Sequence, residues 1–586
     1  MNNDEANSVA PAPIRLMFAA AIGAIRNLIL GSLLLLGAGN AWAQVSSLDR
    51  QMLLSFYQST NGSRWLQDSG WNGPPGSECS WFGVTCFNGA VTQLRLPDNN
   101  LGEFDATHPV AFLLPVEPVN LRELTHLDLA GNRFEQTVPN SYGTFPKLVQ
   151  LDLGRMDLSV PLPAQLGNVT TLQTLFLDHN RFTGPLPESW SQLTQLRNLD
   201  LYDNALTGTL PASWSALAQL RYLSLGDNPS TLVPDSQLQG SIPSSWGQLA
   251  QLQTLHISYN QLAGTLPATL GNLLALRSLD LAGNQLAGTL PSSLGALVNL
   301  ESLVLNSNQF DGTLPALGAL THLQVLILSD NAFTGPLPAG IANMASLRLL
   351  LVQNNLFEDA FPGWLCGLTN LERLLLTSNR FGGKLPDCIG QLTSLRKLGL
   401  GANTFRGVVP TSLVQLTALE ALPENAIDEG HLLFNALWSD DPAVLAFIAS
   451  RFPRGSQVAD FHDTQTLAPT ALQVQVHAPN AVRLQWTPRG LSDNGSFQIL
   501  GAPSDTLFCD GFDEPCIEAA LLDPPIDILT PNRLATEQVI SGLQPGQRYR
   551  FIVLSVSEPN PSPFSFFFQP NRVISDPPVP VGITLP

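Results

Sequence analysis

The stretch Leu196-Arg-Asn-Leu199-Asp-Leu201-Tyr-Asp-Asn204-Ala-Leu206-Thr-Gly208-Thr-Leu210-Pro211 decides the fold of this chain. Its pattern of leucines, one asparagine and a closing Gly-x-Leu-Pro returns about every 24 residues across more than half of the sequence. A fixed period of this length is typical of a solenoid rather than of a globule with one pocket. The asparagine position of thirteen successive units falls on Asn99, Asn132, Met156, Asn180, Asn204, Asn228, Asn260, Asn284, Asn308, Asn331, Asn355, Asn379 and Asn403.

The alternation of a β-strand predicts where the side chains of one unit point. Leu196, Leu199 and Leu201 should face the interior of the coil. Asn204 should be buried where the chain turns inward, so that its amide hydrogen bonds to backbone groups and links successive coils as a ladder. Gly208 permits the bend that follows. Because one coil cannot bury its leucines alone, neighbouring coils must cover them.

Two spacings between ladder positions are longer than the others. Extra residues lie at about Glu103–Asn120 and at Pro229–Gln237. Insertions in solenoids map to loops, often on the binding face. A functional loop and a tolerated surface loop both stay open at each place.

The second half of the unit has its clearest copies at Leu206–Pro211, Leu238–Pro243, Leu262–Pro267 and Leu286–Pro291. These copies resemble the plant-type class of leucine-rich repeats, and the resemblance covers residues 93–425. It implies an α/β solenoid, a leucine-rich-repeat horseshoe with a parallel β ladder. It says much less about function, because this scaffold carries many different binding tasks.

Residues 44–92 are predicted to cap the open core of the first coil. The apolar residues with helical spacing in this segment are Leu48, Met52, Leu53, Phe56 and Tyr57. The pattern that runs from Trp71-Asn to Cys79-Ser-Trp81-Phe-Gly-Val-Thr-Cys86 resembles the cap that precedes plant-type repeats in extracellular receptors.

Residues 1–43 are predicted to be a secretory signal peptide. Arg15 and Arg26 precede the apolar run Leu28–Leu36, and Ala41-Trp-Ala43 supplies small residues at the cleavage-determining positions. The alternative is an uncleaved membrane anchor. We therefore expect the protein to be secreted or held at the cell surface, with no membrane span after signal cleavage.

The six cysteines fall into three local pairs, which an oxidising compartment favours as disulfides. Pairing by proximity gives Cys79–Cys86, Cys366–Cys388 and Cys509–Cys516. Metal binding is the alternative, but no pair has histidines at suitable spacing. We predict neither a metal site nor a cofactor.

The formal net charge of −19 removes the main driving force for binding nucleic acid. No nucleophile elbow, His-Glu-x-x-His motif or phosphate loop is present, so the sequence does not predict an enzyme. Aspartates recur at one strand position, at Asp128, Asp152, Asp200 and Asp280. We expect this position to face solvent in every coil, rather than to form acid–base pairs.

The pattern of the repeats decays after Asn403. Residues 426–468 are predicted to be a C-terminal cap and linker, with two short helices around Leu432–Leu437 and Val444–Ile448. Residues 469–586 show short alternating strands and are predicted to form an all-β sandwich domain. Val482–Trp486 and Leu543–Val553 resemble strands of fibronectin type III domains, the second being similar to the tyrosine-corner strand.

The outward strand positions of the repeats define the expected binding face. The first half of this face is polar, acidic and aromatic, and the second half contains an apolar patch that we expect to be exposed and to bind a ligand. The candidate ligand-binding residues are Phe176, Tyr202, Tyr222, His256, Val304, Val325, Ile327, Leu349, Leu351 and Leu375. The alternative is that the C-terminal domain folds back over the patch.

Together, these features predict a secreted or surface-exposed binding module for a protein or peptide ligand, with a role in adhesion or ligand sensing. The alternative is an inhibitor of a secreted glycan-cleaving enzyme, a function of some similar plant-type repeat proteins. The oligomeric state is not predicted. Met156 replaces the ladder asparagine and cannot donate a hydrogen bond, so we expect a weak point there.

Overall fold

The computed structural model describes residues 44–102, 113–134, 137–226, 237–421, 432, 435–452, 465, 470–478, 480–487, 495–503, 526–530, 535, 537–543, 548–557, 573–574 and 581–584. Several sequence features lie outside these residues: the segment 1–43, most of both insertions, Asn228, Cys509, Cys516 and the run Phe564–Phe568. No helix in the described part of the chain has the length and apolar character that crossing a bilayer requires.

One face of the solenoid is a ladder of parallel strands, extended at its N-terminal edge by the antiparallel strand Val84–Phe87. The thirteen parallel strands are Ala90–Arg95, His126–Asp128, Gln150–Asp152, Thr174–Phe176, Asn198–Asp200, Tyr222–Ser224, Thr254–His256, Ser278–Asp280, Ser302–Val304, Val325–Ile327, Leu349–Leu351, Arg373–Leu375 and Lys397–Gly399. Each strand pairs in register with the strand of the next coil. Equivalent side chains therefore lie beside one another along the ladder.

A second parallel ladder begins at Thr183 and follows the turn after the ladder residue in the coils from there on. Its strands are Thr183–Pro185, Ala205–Thr209, Leu238–Gly240, Gln261–Gly264, Gln285–Gly288, Gln309–Gly312, Ala332–Gly335, Leu356–Ala360, Arg380–Gly383, Thr404–Val408 and Ala436–Trp438. Gly208 in this ladder has φ of 82°, the left-handed conformation that glycine adopts without strain.

Short 3₁₀ helices lie on the side of the coils opposite the first ladder and in the N-terminal segment, and the α-helices among the described residues lie only at the two ends of the solenoid. The 3₁₀ helices are Gly62–Arg64, Glu78–Ser80, Glu117–Asn120, Asn140–Thr144, Ala164–Asn168, Glu188–Gln192, Ala212–Ala216, Ser244–Gln248, Ala268–Asn272, Ser292–Ala296, Ala339–Asn343, Gly363–Gly367, Asp387–Gln391 and Thr411–Gln415. The predicted solenoid with its parallel ladders is confirmed. The α component of the predicted α/β class is small.

The core lies between the two ladders and the 3₁₀ side. Leu196, Leu199 and Leu201 are fully buried, as the alternation of the strand predicts. Phenylalanines that follow the ladder asparagines stack from coil to coil, with ring centroids 5.9–6.4 Å apart. The stacked rings are Phe310, Phe333, Phe357, Phe381 and Phe405.

The asparagine ladder is present as predicted. Asn204 Oδ1 accepts a hydrogen bond from the Phe182 N–H at 2.9 Å, and its Nδ2 donates to the carbonyls of Leu177 at 3.1 Å and Leu201 at 2.9 Å. The same arrangement recurs at Asn180, Asn284, Asn308, Asn331, Asn355, Asn379 and Asn403. Each amide therefore satisfies backbone groups of two adjacent coils.

The N-terminal segment packs as a helix and a group of tryptophans on the first coil. Helix α1, Ser47–Ser59, is capped by Ser46, whose hydroxyl accepts from the Asp49 N–H at 3.0 Å. Its Leu53 and Phe56 are buried, whereas Leu48 is exposed. Trp65, Trp71 and Trp81 pack behind this helix as a chain of ring contacts.

Two of the predicted disulfides are present. Cys79 and Cys86 are bonded with their Cα atoms 5.4 Å apart, and Cys366 and Cys388 with theirs 5.7 Å apart. The second bond joins adjacent coils on the 3₁₀ side, so it crosslinks successive units of the solenoid.

The prediction of two helices after the repeats was wrong for the first of them. Ala436–Trp438 is a strand that pairs with Thr404–Val408, and only Pro442–Arg451 is a helix, α2. The reason is Asn435, which acts as a further ladder residue: its Oδ1 accepts from the Phe405 N–H at 3.1 Å. The solenoid therefore continues one coil beyond Asn403.

The C-terminal strands form two antiparallel sheets. One contains Thr470–Ala478, Ala481–Thr487 and Glu537–Ser541; the other contains Gly495–Pro503, Ile526–Leu529, Arg548–Ser557, Val573–Ile574 and Val581–Thr584. Val482, Leu484 and Trp486 are buried on the middle strand of the first sheet. The described residues of this part of the chain are thus mainly β-strand.

Candidate ligand-binding face

The strands of the first ladder present their side chains in columns. We define the central column as the residues four positions before each ladder residue, and the flanking columns as those six and two positions before it. The described central column runs through Arg95, Asp128, Asp152, Phe176, Asp200, Ser224, His256, Asp280, Val304, Ile327, Leu351, Leu375 and Gly399. In-register pairing brings each member beside the next, as in Asp200, Ser224 and His256.

The expectation that the central column faces solvent was wrong. Asp152 is 0% exposed, Asp128 and Asp200 are each 5% exposed, and Asp280 is 8% exposed. Parallel strands lie about 4.8 Å apart, so neighbouring side chains of the column touch, and the flanking columns cover their edges. A side chain that points outward from a strand of this ladder is therefore not necessarily exposed to solvent.

The buried aspartates of this column are held by the backbone. Asp200 Oδ1 accepts from the Tyr202 N–H at 3.0 Å, and Asp152 Oδ1 accepts from the Gly154 N–H at 3.0 Å. The bonds from Ala130 N–H to Asp128 at 3.1 Å and from Ala282 N–H to Asp280 at 3.0 Å repeat this arrangement. The recurring carboxylates thus end the strands, a structural role that accounts for their period.

We define the acidic half of the face by Asp128, Asp152, Asp178, Asp200 and the aromatic residues around them. His179 Nδ1 lies 2.9 Å from Asp178 Oδ2, and this hydrogen bond raises the pKa of His179. The Tyr222 hydroxyl donates to Asp200 Oδ2 at 3.3 Å. Burial, with the Asp178 carboxylate adding to it, raises the pKa of Asp200 to about 7. Asp200 is therefore partly protonated at neutral pH.

The next coils of the central column lead from this acidic half toward apolar residues. His256 Nε2 lies 2.9 Å from Ser278 Oγ, and burial lowers the pKa of His256 to about 4, so this ring is neutral at pH 7. Burial also raises the pKa of Asp280 to about 6. Asp280 pairs in register with Val304, where the apolar part of the face begins.

The apolar patch exists, but it is packed rather than exposed. Ala282, Val304, Ile327, Leu351 and Leu375 form a hydrophobic cluster separate from the solenoid core. We call these five residues the apolar floor. Each is at most 6% exposed, so the prediction of an exposed patch was wrong. The aspartates of the same column are equally buried, so contact between neighbouring strands accounts for the covering.

Two half-buried side chains lie against the apolar floor, Tyr259 and Val325. Val325 belongs to a flanking column and Tyr259 directly precedes the ladder residue Asn260, and these two are the members of this cluster that a ligand can touch most readily. Among the candidate residues, Tyr202 and Val325 are half-buried, whereas Phe176, Tyr222, His256, Val304, Ile327, Leu349, Leu351 and Leu375 are buried.

The sequence analysis missed accessible residues that follow the strands. His179, Asp203 and Tyr259 lie one position before the ladder asparagine, and their φ values of 50°, 55° and 53° turn the chain there. His179 packs against Tyr202, with ring centroids 5.4 Å apart. The residue before the ladder asparagine of every unit could have been proposed from the sequence. The chain still lies on the face of the first ladder at that residue, and it turns inward only at the asparagine.

The candidate residues thus divide between two places on one face. Phe176, Tyr202, Tyr222 and His256 belong to the acidic half and its margin, and the aliphatic residues belong to the apolar floor. Within the described residues, no group of histidine, cysteine and acidic side chains is arranged to hold a metal ion.

Models of the leucine rich repeat family match residues 123–145, 170–229, 250–310, 322–344 and 370–392. The solenoid is a leucine-rich-repeat domain. The model of the leucine rich repeat N-terminal domain matches residues 46–87, which contain α1 and the Cys79–Cys86 bond. A search of curated proteins finds no match to the chain.

Two solved receptor structures are similar to this leucine-rich-repeat domain. A plant peptide hormone receptor, RGFR1 in complex with RGF2, has a TM-score of 0.51 and 28% identity, and the match covers 61% of this chain and 57% of the receptor chain. A TDR receptor has a TM-score of 0.47 and 27% identity over 55% of this chain and 58% of that chain. This chain therefore matches less than two thirds of the length of either receptor.

A bacterial protein is also similar, a leucine-rich-repeat protein of Leptospira interrogans. Its TM-score is 0.45 at 28% identity, and the match covers 62% of this chain and 94% of that chain. The protein described here is receptor-ectodomain-like in its repeats and its N-terminal segment.

Proposed function

We propose that the protein is a secreted or surface-exposed binding module that holds a protein or peptide ligand on its concave strand face, in adhesion or ligand sensing. The observation that carries this proposal is the apolar floor, an apolar cluster on the ladder face and outside the core. The likeness to a peptide hormone receptor at a TM-score of 0.51 supports a ligand-binding role.

The ligand would contact the apolar floor through its rim. Tyr259 and Val325 are half-buried and rest on the floor, so a ligand side chain that covers them removes the remaining apolar surface from water. Such burial stabilises a complex by roughly 25 cal/mol per Å². The aspartates of the acidic half already accept backbone hydrogen bonds, so they offer less to a ligand.

The proposal extends to the arrangement of the chain. It takes residues 1–43 as a signal peptide, 44–92 as the cap, 93–425 as the repeats, 426–468 as the C-terminal cap and linker, and 469–586 as a fibronectin type III-like sandwich. The division of the C-terminal strands supports the last assignment. The first, second and fifth described strands form one sheet and the remaining strands form the other, so the chain crosses between the two sheets more than once, as in a sandwich of this kind.

The test is capture of a polypeptide by the immobilised full-length protein from the medium that surrounds its native cells. Val325→Asp places a charge on the rim of the apolar floor, and we expect it to weaken binding at least about tenfold. Val298→Asp is the matched control, because Val298 is an exposed valine away from the ladder face.

Circular dichroism establishes that both variants are folded. Equal binding by the two variants would reject the apolar floor as the site. Capture of a glycan-cleaving enzyme whose activity falls on binding would favour the inhibitor instead, and turnover of a glycan by the protein itself would overturn both functions.

A further inference from the structure

The asparagine ladder has hydrogen-bonding partners at both ends of the solenoid. At the first rung, Asn99 Oδ1 accepts from the Gln67 N–H at 2.7 Å, and Asn99 Nδ2 donates to the Gln67 carbonyl at 3.0 Å. The main chain of the N-terminal segment therefore closes the ladder at that end. The other end requires an equivalent, because an open rung leaves buried backbone groups unsatisfied.

The last asparagine of the ladder shows what that equivalent must do. Asn435 Oδ1 accepts from the Phe405 N–H at 3.1 Å, and Asn435 Nδ2 donates to the Leu400 carbonyl at 3.1 Å. Relative to the preceding rung, Asn403, these are the N–H two residues after it and the carbonyl three residues before it. A residue beyond Asn435 would have to bond Leu437 and Leu432 in the same way.

Gln465 makes these two hydrogen bonds. Its Oε1 accepts from the Leu437 N–H at 3.1 Å, and its Nε2 donates to the Leu432 carbonyl at 3.2 Å. The side chain is 0% exposed. Glutamine carries the same amide as asparagine on a side chain that is one methylene longer, so it can make the same two hydrogen bonds from a backbone position farther from the ladder.

We infer that Gln465 is the terminal rung of the ladder and that it anchors the connection between the solenoid and the C-terminal strands. The first of those strands begins at Thr470, a short distance along the chain. Withdrawing the amide would leave the buried Leu437 N–H without its acceptor, which carries a free-energy cost. Gln465 therefore stays bound to the last coil for as long as that coil is folded.

The test uses the full-length protein and compares variants of Gln465. Gln465→Met keeps the length and most of the bulk of the side chain but removes both hydrogen bonds. Gln465→Glu keeps an acceptor for Leu437 N–H and loses the donor to Leu432. Gln475→Ala, at an exposed glutamine in the first C-terminal strand, is the control.

Two measurements report on the anchor: hydrogen exchange of the Leu437 amide and the rate of proteolytic cleavage between residues 453 and 469. We expect Gln465→Met to speed both on the order of tenfold, with an unchanged coil at 196–211 and an unchanged control. Gln465→Glu should be intermediate, and it carries the test if the Met variant does not fold.

Unchanged exchange and unchanged cleavage in the folded Gln465 variants would overturn the inference. So would a uniform increase in exchange through the solenoid, because it would mean that Gln465 supports the whole fold rather than the connection.

Discussion

Most residues of the acidic half and of the apolar floor lie in the central column of the same ladder, yet the two groups accommodate burial in different ways. In the acidic half, Asp128, Asp152 and Asp200 each accept a hydrogen bond from the backbone N–H two residues on. In the apolar floor, Ile327 and Leu351 pack on each other and on neighbouring aliphatic residues. The backbone tolerates both chemistries, so the side chains alone decide what each half can bind.

This comparison separates structure from function along one surface. The aspartates end strands through their hydrogen bonds to the backbone, and this structural role is sufficient to account for their recurrence. The apolar floor ends no strand by hydrogen bonding, and it lies on the opposite side of the ladder from the core. Ligand binding is therefore a better explanation for the apolar floor than for the acidic half.

The largest expected effect on stability comes from placing a carboxylate, as found in the acidic half, within the apolar floor. Ile327→Asp puts a carboxylate between Val304 and Leu351, its partners in register. The carboxylate has apolar neighbours on both sides, so we expect the free energy of unfolding to fall by about 2–4 kcal/mol. Denaturant unfolding followed by circular dichroism measures this.

Ile327→Val is the control for that substitution, with an expected loss of about 1 kcal/mol. If Ile327→Asp costs no more than Ile327→Val, then the column position, rather than its neighbours, sets what is tolerated, and the two halves are interchangeable.

The second largest expected effect is on the pH dependence of stability, which should differ between the buried aspartates and the apolar floor. Burial raises the pKa of Asp280 from 3.8 to about 6 and that of Asp200 to about 7. A carboxyl with a raised folded-state pKa stabilises the fold fully below its unfolded pKa, and this contribution is lost as pH rises through the folded pKa. The lowered pKa values of His126 and His256 act in the opposite direction over part of this range. The prediction is therefore made for the difference in the free energy of unfolding between the wild-type protein and Asp280→Asn, which should fall by about 1–2 kcal/mol between pH 5 and pH 8.

The amide of Asp280→Asn does not ionise in this range, so the comparison isolates the contribution of Asp280. Ile327→Val, in the apolar floor, should show the same pH dependence as the wild-type protein. A difference between the wild-type protein and Asp280→Asn that rises between pH 5 and pH 8 would mean that Asp280 is stabilised in its charged form, against the account of the buried aspartates.

The smallest expected effect concerns the ladder beneath the acidic half. Met156 is buried at a rung position, flanked by Arg155 and Asp157 with φ of 58° and 63°. Asn180 Oδ1 still accepts from the Met156 N–H at 3.1 Å, but Met156 cannot return the bonds of an asparagine. Met156→Asn should raise the free energy of unfolding by about 0.5–1.5 kcal/mol.

Hydrogen exchange should accordingly be faster around residues 148–163 than in the coil at 196–211 of the wild-type protein. The ion pair between Arg155 and Asp98 at 3.0 Å is exposed and adds little to the stability of this coil. A neutral or destabilising Met156→Asn would show that the coil has repacked around the methionine.

The period of the sequence predicted the ladder and its asparagines because each unit repeats the same spacing. It could not predict the burial of Asp152 or Ile327, because alternation gives the direction of a side chain and not what covers it. Leu437 was assigned to a helix because a short apolar run does not distinguish helix from strand. Asn435 and Gln465 were not predicted as ladder residues because neither follows the preceding ladder residue at the regular spacing. In addition, Gln465 is a glutamine and not an asparagine.

The central claim is that the apolar floor binds a polypeptide, and the most direct test is the footprint of the captured ligand. Hydrogen exchange of the complex, compared with the free protein, maps which strands the ligand covers. We predict added protection on the strands and turns from residues 259 to 378, which include Tyr259 and Val325, and little change at residues 126–200. Protection confined to the acidic half, or to the 3₁₀ side of the coils, would contradict the account.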